Sequence, residues 1–509
     1  MNENLNILII LGHPRRGSFS EALADAYKDG ALNAQMRVKQ LILGEMTFDP
    51  NVFTVSPKSQ PAEADIVHAQ EMILWADHLV FVYPTWWGTM PALLKGFLDR
   101  VFTPGFAFEE LEETQSWEKL LKGKSAQIIT TMDTPIWVYK WIYKNPGHNA
   151  LGLATLQFCG ITPIRKLVFS PIKYSDAEQR EQWLEKVKNE GAKLKNGIWS
   201  PWEKIRNKIL VWLKAVRLQF YPMTWLAYSS GALGAASTGY HFDTMIFWVG
   251  YLWLFLIEIA TVLSNEFFDL KTDEKNKYFS PFTGGSRVLV EKELKPNEVK
   301  KGVYWTIGLS FIVAVILLNL AFSPWQSMLT LFISMYILAL GYTVPPLKLS
   351  YRGLGELDVG LTHSLGVILC GYVFQGGAIS DPLPWLLSLP LFLAILPSII
   401  LAGIPDYLSD KSVSKVTMAV YFGKKNAVVL AALFTLLAML AGISWQFFNV
   451  LPGVFGWAIY AVIPHGIYLI TLLARFIRDP LPSPRIDGLM VVSLTFVIWF
   501  ALIPLIYLM

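Results

Sequence analysis

The chain has 509 residues, room for two or three domains, with 53% hydrophobic and 16% charged residues and a mean hydropathy of +0.40. That is too apolar for an ordinary soluble enzyme, and a formal net charge of +4 is too small for a nucleic-acid partner. Two cysteines, Cys159 and Cys370, lie far apart in regions of different character, which excludes a disulfide framework and a thiolate metal site.

The first residues run straight into a strand with no signal-peptide layout, so the N-terminus is expected in the cytoplasm. Leu5–Leu11 is a short continuous apolar run, as in a strand buried on both faces. Further strands are predicted at Met36–Leu41, His78–Tyr83, Ser125–Thr131 and Arg165–Phe169. A helical pattern starts at Glu21, and others lie near 62–76, 90–102, 148–158 and 175–195. Strands alternating with helices predict a doubly wound parallel sheet over residues 1–195, with ligands beyond the carboxyl ends of the strands. The loop after the first strand offers His13, Arg15, Arg16 and small residues before a helix N-terminus, which suits phosphate. The loop after the third strand, Pro84-Thr85-Trp86-Trp87-Gly88, is aromatic and stiff and suits a flat ring system. An ordinary strand-to-helix loop and core tryptophans would look the same, and there is neither G-x-G-x-x-G nor a P-loop.

Three stretches are more specific: GHPRRGSFSEAL from Gly12, YPTWWGTMPALLKGFLDRVFTPGFAF from Tyr83, and TTMDTP from Thr130. They resemble the flavodoxin-like NAD(P)H:quinone oxidoreductase family. The resemblance implies an α/β flavodoxin-like fold, a flavin (FMN or FAD) and NAD(P)H as reductant. It places the flavin phosphate at Ser18, Phe19 and Ser20, beside His13 and Arg15. The isoalloxazine falls at Pro84, Thr85, Trp86, Trp87 and Gly88, bordered by the loop containing Thr131. Tyr139 and His148 fall near the family's hydride-transfer pair. The resemblance also leaves room for a homodimer through this domain.

Residues 196–218 form the next block. Trp202, Ile205, Ile209, Trp212 and Val216 recur at helical spacing among Lys204, Arg206, Lys208, Lys214 and Arg217. A basic amphipathic helix rich in tryptophan is expected on an anionic membrane surface; a helix packed against the first domain is the competing expectation. From 219 to 509 the chain reads as membrane, with nine apolar segments near 220–240, 244–265, 302–322, 325–345, 355–377, 384–404, 426–446, 453–474 and 488–508. The loops at 266–301, 346–354, 405–425 and 475–487 carry seventeen Lys and Arg, and the intervening loops carry none. Positive-inside bias therefore predicts a multi-pass protein of the cytoplasmic membrane, with the N-terminal domain inside and the C-terminus outside.

Two acidic sets lie on the cytoplasmic side of that topology. Asn265, Asp269 and Asp273 recur every four residues, on one helical stripe, and Asp406 and Asp410 repeat the spacing. Carboxylates at membrane depth are expensive and usually face a polar cavity. Two such sets suit Mg²⁺ ions holding a diphosphate, whereas solvated acids at two helix exits are the plainer alternative.

The stretches NEFFDLKTDEKNKYFSPFTGGSRVL, YTVPPLKLSYRGLGEL and DYLSDKSVSKVTMAVYFG resemble the UbiA-type intramembrane prenyltransferases, nearest the branch that prenylates 1,4-dihydroxy-2-naphthoate in menaquinone synthesis. The resemblance implies a nine-helix bundle in which Asn265, Asp269, Asp273, Asp406 and Asp410 ligate Mg²⁺–diphosphate, with Arg287, Lys348, Arg352 and Lys415 as phosphate-binding cations. A prenyl diphosphate and a quinone or hydroquinone are then the substrates, and one chain both reduces quinone and prenylates it. Two readings stand against this: a membrane-tethered quinone oxidoreductase whose transmembrane half only binds prenylated quinone, and a flavin domain that only senses redox state.

Overall fold

The computed structural model describes residues 5–110, 117–194, 201–280, 282–479 and 486–509, arranged as two units, Met1–Arg206 and Asn207–Met509. In the first unit the strands are β1 (Asn6–Leu11), β2 (Arg37–Ile42), β3 (His78–Pro84), β4 (Phe108–Glu110), β5 (Trp117–Lys119), β6 (Ser125–Thr131) and β7 (Ile164–Phe169). Five of them make one parallel sheet in the order β2-β1-β3-β6-β7, and β4 pairs with β5 as a separate antiparallel hairpin. Every residue of β3 and β6 is buried, because helices cover both faces of the sheet and leave no side for polar alternation. The chain turns from building one side of β1 to the other between β1 and β3, so the loops after these strands form the switch point.

Helix Phe19–Asn33 follows β1. Ser18 caps the start of this helix with extended backbone, and its Oγ accepts the Glu21 N–H at 3.2 Å, satisfying one of the orphan donors of the first turn. Helices Ala64–Trp75, Ala92–Val101 and Ala177–Lys193 complete the layers, and Asn149–Gln157 forms a π-helical segment where the sequence predicts an ordinary helix.

In the second unit seven helices are long and apolar enough to cross a membrane: Thr244–Phe268, Pro296–Leu320, Gly355–Phe374, Pro382–Ser412, Lys424–Phe447, Trp457–Arg478 and Asp487–Leu508. They account for seven of the nine expected apolar segments. The other two segments are helices, Tyr221–Ser237 and Trp325–Gly341, of 17 residues each. At a rise of about 1.5 Å per residue each is about 25 Å long, at the short end of the ~17–25 residues a membrane-spanning helix uses. Helix Pro382–Ser412 contains Pro390, Pro397 and Pro405, and the Trp445 indole N–H donates to the Leu386 carbonyl that Pro390 leaves free, at 2.9 Å.

The basic stretch forms helix Pro201–Val216, and the linker residues 196–200 lie outside the described residues. The predicted stripe divides: Trp202, Ile205 and Ile209 stay exposed. Val211 and Ala215, off that stripe, pack with Leu263, Val288, Leu289 and Val299. Lys208 pairs with Glu298 at 2.5 Å, and Lys214 with Glu291 and Glu293 at 2.9 and 2.7 Å, so part of the expected cationic face is neutralised within the protein.

Candidate functional site

At the switch point the backbone joins three strand ends. Gly12 N–H donates to Val82 and Thr85 N–H to Thr131, at 2.9 and 2.7 Å. His13, Ser18 and Ser20 are buried, Phe19 packs on Trp183, and Arg15 is exposed with its backbone N–H donating to His13 Nδ1 at 3.1 Å. Burial pushes the His13 imidazole below its ordinary pKa.

The loop after β3 is a two-residue hairpin turn. Trp86 and Thr89 exchange backbone hydrogen bonds at 2.8 and 3.0 Å, with Trp87 at φ 51° and Gly88 at φ 75°. Positive φ at both central positions defines a type I′ turn, and for a tryptophan that backbone is strained. The turn holds the Trp87 ring in solvent, while Trp86 meets His13 edge-on at 5.8 Å. Pro84 is buried at the strand end, and Thr85 carries a buried hydroxyl without a partner among the described residues, as does Tyr83.

The structure brings Tyr139 and His148 together. Their rings are 5.2 Å apart, the Tyr139 hydroxyl accepts the His148 N–H at 3.2 Å, and Thr130 Oγ1 lies 3.1 Å from His148 Nε2. Burial, with a smaller contribution from Lys166, lowers the His148 pKa to about 4. Strand-end hydroxyls, a helix N-terminus, an exposed indole and two orphaned buried hydroxyls fit a phosphate-bearing planar group.

The second site is acidic. Helix Thr244–Phe268 ends at Asp269, and the helix of Asp406 and Asp410 delivers its last turns to the same place. Lys415 joins them: its Nζ donates to Asp269 Oδ2 at 2.8 Å and lies 3.7 Å from Asp410 Oδ1. The Tyr351 hydroxyl donates to Asp269 Oδ1 at 2.7 Å, and Asn276 Nδ2 to Asp406 Oδ1 at 2.6 Å. Asp273 is buried, and its pKa rises to about 8 through burial first, then the carboxylates of Glu266, Asp269 and Asp406, with Lys415 opposing. Burial works against the Lys415 ammonium, but Asp269 and Asp410 outweigh it and raise its pKa well above the ordinary value.

Of the other predicted cations, Arg287 donates to the Asp273 carbonyl at 2.9 Å and lies over the Phe279 ring. Lys348 sits 4.6 Å over the Tyr351 ring, and exposed Arg352 donates to the Pro346 carbonyl at 2.8 Å. Asn265 Oδ1 and Asp410 Oδ1 are buried without hydrogen-bond partners among the described residues. A surplus of buried carboxylate and unpartnered hard oxygen suits a divalent cation. Among the described residues, no three His, Cys, Asp or Glu side chains close on one point to hold a metal by themselves. Any cation there takes its remaining ligands from phosphate and water.

Sequence reasoning missed four members of this site. Arg217 reads from the sequence only as part of a basic helix, yet at φ 58° it turns the chain, donates to the Phe282 carbonyl at 3.2 Å and is in electrostatic reach of Glu266, Asp273 and Asp406. Glu266 accepts the Ser286 N–H at 2.9 Å, while Asn276 and Tyr351 brace Asp406 and Asp269. The signal available for Tyr351 is its place beside Lys348 and Arg352 in the middle motif.

Residues 5–191 match the flavodoxin-like fold family, and residues 224–506 match the UbiA prenyltransferase family. An uncharacterized NAD(P)H oxidoreductase of Haemophilus influenzae is 31% identical over 189 residues, 36% of this chain and 91% of that protein. Human ribosyldihydronicotinamide dehydrogenase [quinone] is 28% identical over 204 residues, 34% of this chain and 85% of that one. Among solved structures, digeranylgeranylglyceryl phosphate synthase is 17% identical, with a TM-score of 0.41 covering 59% of this chain and 98% of its own. The chain belongs to the UbiA prenyltransferase family and carries, fused at its N-terminal side, a flavodoxin-like NAD(P)H quinone oxidoreductase domain.

Proposed function

We propose that this chain reduces a quinone with NAD(P)H and then transfers a prenyl group from a prenyl diphosphate to the hydroquinone so formed, as a step in making a menaquinone-like prenylquinone. The observation that carries the reading is the meeting of two acidic helix ends around Lys415, beside Arg217 and Arg287.

In the first unit, Ser18, Ser20 and the N-terminus of helix Phe19–Asn33 bind the phosphate end of a flavin, FMN or FAD. When bound, the flavin supplies hydride transfer between nicotinamide and quinone. Trp86 and the Trp87-Gly88 turn hold the ring plane, and the Tyr139–His148 pair presents a neutral hydrogen-bonding edge to the acceptor.

In the second unit, Asn265, Asp269, Asp273, Asp406 and Asp410 hold Mg²⁺ with the diphosphate. When bound, Mg²⁺ supplies Lewis-acid stabilisation of the leaving group. Lys415, Arg217 and Arg287 place fixed positive charge where negative charge builds as the allylic C–O bond breaks, and Lys348 and Arg352 extend that field at the rim. The allylic cation needs an electron-rich partner. A hydroquinone qualifies and an oxidised quinone does not, which gives the two activities an order.

The test uses full-length protein with an oxidised naphthoquinone and a prenyl diphosphate. Prenylated product is expected only when NAD(P)H is present, and chemically reduced naphthoquinol removes that requirement. Trp86→Ala with Trp87→Ala is expected to be inactive on quinone and active on quinol. Transfer to oxidised quinone without reductant refutes the coupling, and transfer to neither acceptor refutes the transferase role.

A further inference from the structure

Seven residues before Asn265 on helix Thr244–Phe268, the same helical face carries Glu258, about 10 Å further along the axis by the helical rise. Glu258 Oε1 lies 3.9 Å from His363 Nε2, and His363 sits on the π-helical bulge Thr362–Gly366. Asp358 is in electrostatic reach of the same imidazole, and the Tyr221 hydroxyl of Glu258. Four buried polar atoms here have no hydrogen-bond partner among the described residues: Glu258 Oε2, Asp358 Oδ1, Tyr221 Oη and, one turn along from Tyr221, Thr224 Oγ1. Asp358, Tyr221 and Thr224 are only 5%, 4% and 3% exposed.

Leaving such groups unmade in a membrane-spanning unit is expensive, and none of them belongs to the diphosphate site. π-helical bulges in helices recur at functional sites. The cluster is rich in acceptors: one imidazole faces two carboxylates. His363 keeps 35% of its side-chain exposure and Glu258 keeps 11%. The complementary ligand is neutral and donates O–H groups.

We propose that Glu258, Asp358 and His363 form the acceptor-specificity site, holding a hydroquinone by its phenolic hydroxyls and excluding aromatic acids. The hydroxyls donate to the Glu258 and Asp358 oxygens, and Tyr221 and Thr224 serve the far side of the ring. A carboxylate on the acceptor would meet Glu258 with like charge in a poorly screened place. This rests on the transferase reading above and narrows it to neutral dihydroxy-aromatic acceptors, the kind of product a quinone reductase delivers.

The test measures anaerobic binding of 1,4-dihydroxynaphthalene and of 1,4-dihydroxy-2-naphthoate to the full-length protein and to its Glu258→Gln variant. Like-charge exclusion predicts that Glu258→Gln narrows the preference for the neutral quinol by about tenfold or more. Quinol bound at the flavin pocket is common to both proteins and drops out of that comparison. A preference unchanged by Glu258→Gln overturns the proposal. A measurement independent of any variant is photolabelling with a diazirine-bearing naphthohydroquinone. Labelled peptides in the second unit are expected to contain Tyr221, Glu258 or His363, with the quinol competing and the naphthoate not; labelling confined to other helices overturns the proposal. Quinol binding that depends on Glu258 without prenyl transfer to that quinol would instead defeat the transferase reading and leave the site standing.

Discussion

Gly285 offers a test of the acidic site that removes no charge. Its φ is 70°, and a Cβ there would sit 2.2 Å from Asp273 Oδ2 and 2.9 Å from Asp273 Cγ, where ordinary contact begins at 3.4 Å. In Gly285→Ala the carboxylate must retreat by more than about 1 Å, and a misplacement of that size costs roughly a hundredfold in rate where geometry governs chemistry. The positive φ adds roughly 1–2 kcal/mol of backbone strain for any residue with a Cβ. Gly453→Ala separates the two effects, since Gly453 has φ 76° and no atom lies within 4 Å of the place its Cβ would take. The assay is prenyl transfer to chemically reduced naphthoquinol, followed by product mass, with NAD(P)H-dependent quinone reduction measured on the same preparations. Gly285→Ala is expected to lose transfer while Gly453→Ala keeps it, and both to reduce quinone normally. Gly285→Ala transferring at the wild-type rate would refute the placement of Asp273 in the diphosphate site.

Lys415→Met strips the countercharge from Asp269 and Asp410. The attraction to Asp269 across 2.8 Å is of order 6 kcal/mol at an effective dielectric of ~20. Much of that offsets desolvation, so an expected net loss of about 3–5 kcal/mol should lower the thermal midpoint of the membrane half, and an unchanged midpoint contradicts the pairing. His148, with its pKa near 4, stays neutral from about pH 5 to 8, so quinone reduction should show no histidine inflection in that window. Because that folded value lies below the unfolded 6.5, its stability contribution is complete above 6.5 and lost as pH falls toward 4; His148→Gln should remove that part of the acid destabilisation in unfolding titrations. A reporter fused after Met509 is expected outside the cell, given an odd number of crossings and the charge bias of the loops; a cytoplasmic signal breaks the topology.

Much of the first unit was legible because its strands are buried on both faces and read as unbroken apolar runs, as in His78–Pro84 and Ser125–Thr131. The β4–β5 hairpin was not, since strands of three residues rich in Glu and Lys carry no periodicity. Helices Tyr221–Ser237 and Trp325–Gly341 were legible as uncharged runs, though each is only 17 residues long. The acidic pairs announce themselves by four-residue spacing within single helices. Arg217, Asn276 and Tyr351 join the same site from distant parts of the chain, Asn276 lying 130 positions from Asp406, and only tertiary packing makes such neighbours. The Glu258–His363 pair spans 105 positions and is hidden for the same reason.

The three prolines of helix Pro382–Ser412 divide it into stiff rods joined where a ladder bond is missing. The carbonyls of Leu386, Leu393 and Leu401 lose their i+4 amide partner, and Trp445 claims the first of them. The last joint falls at Pro405, immediately before Asp406. The terminal rod bearing Asp406 and Asp410 is therefore not aimed by the helix behind it. Its bearing is set by what grips it from the side, Asn276 on Asp406 and Lys415 on Asp410, so the two acidic ends adjust to each other while the rest of the helix keeps its place among its neighbours.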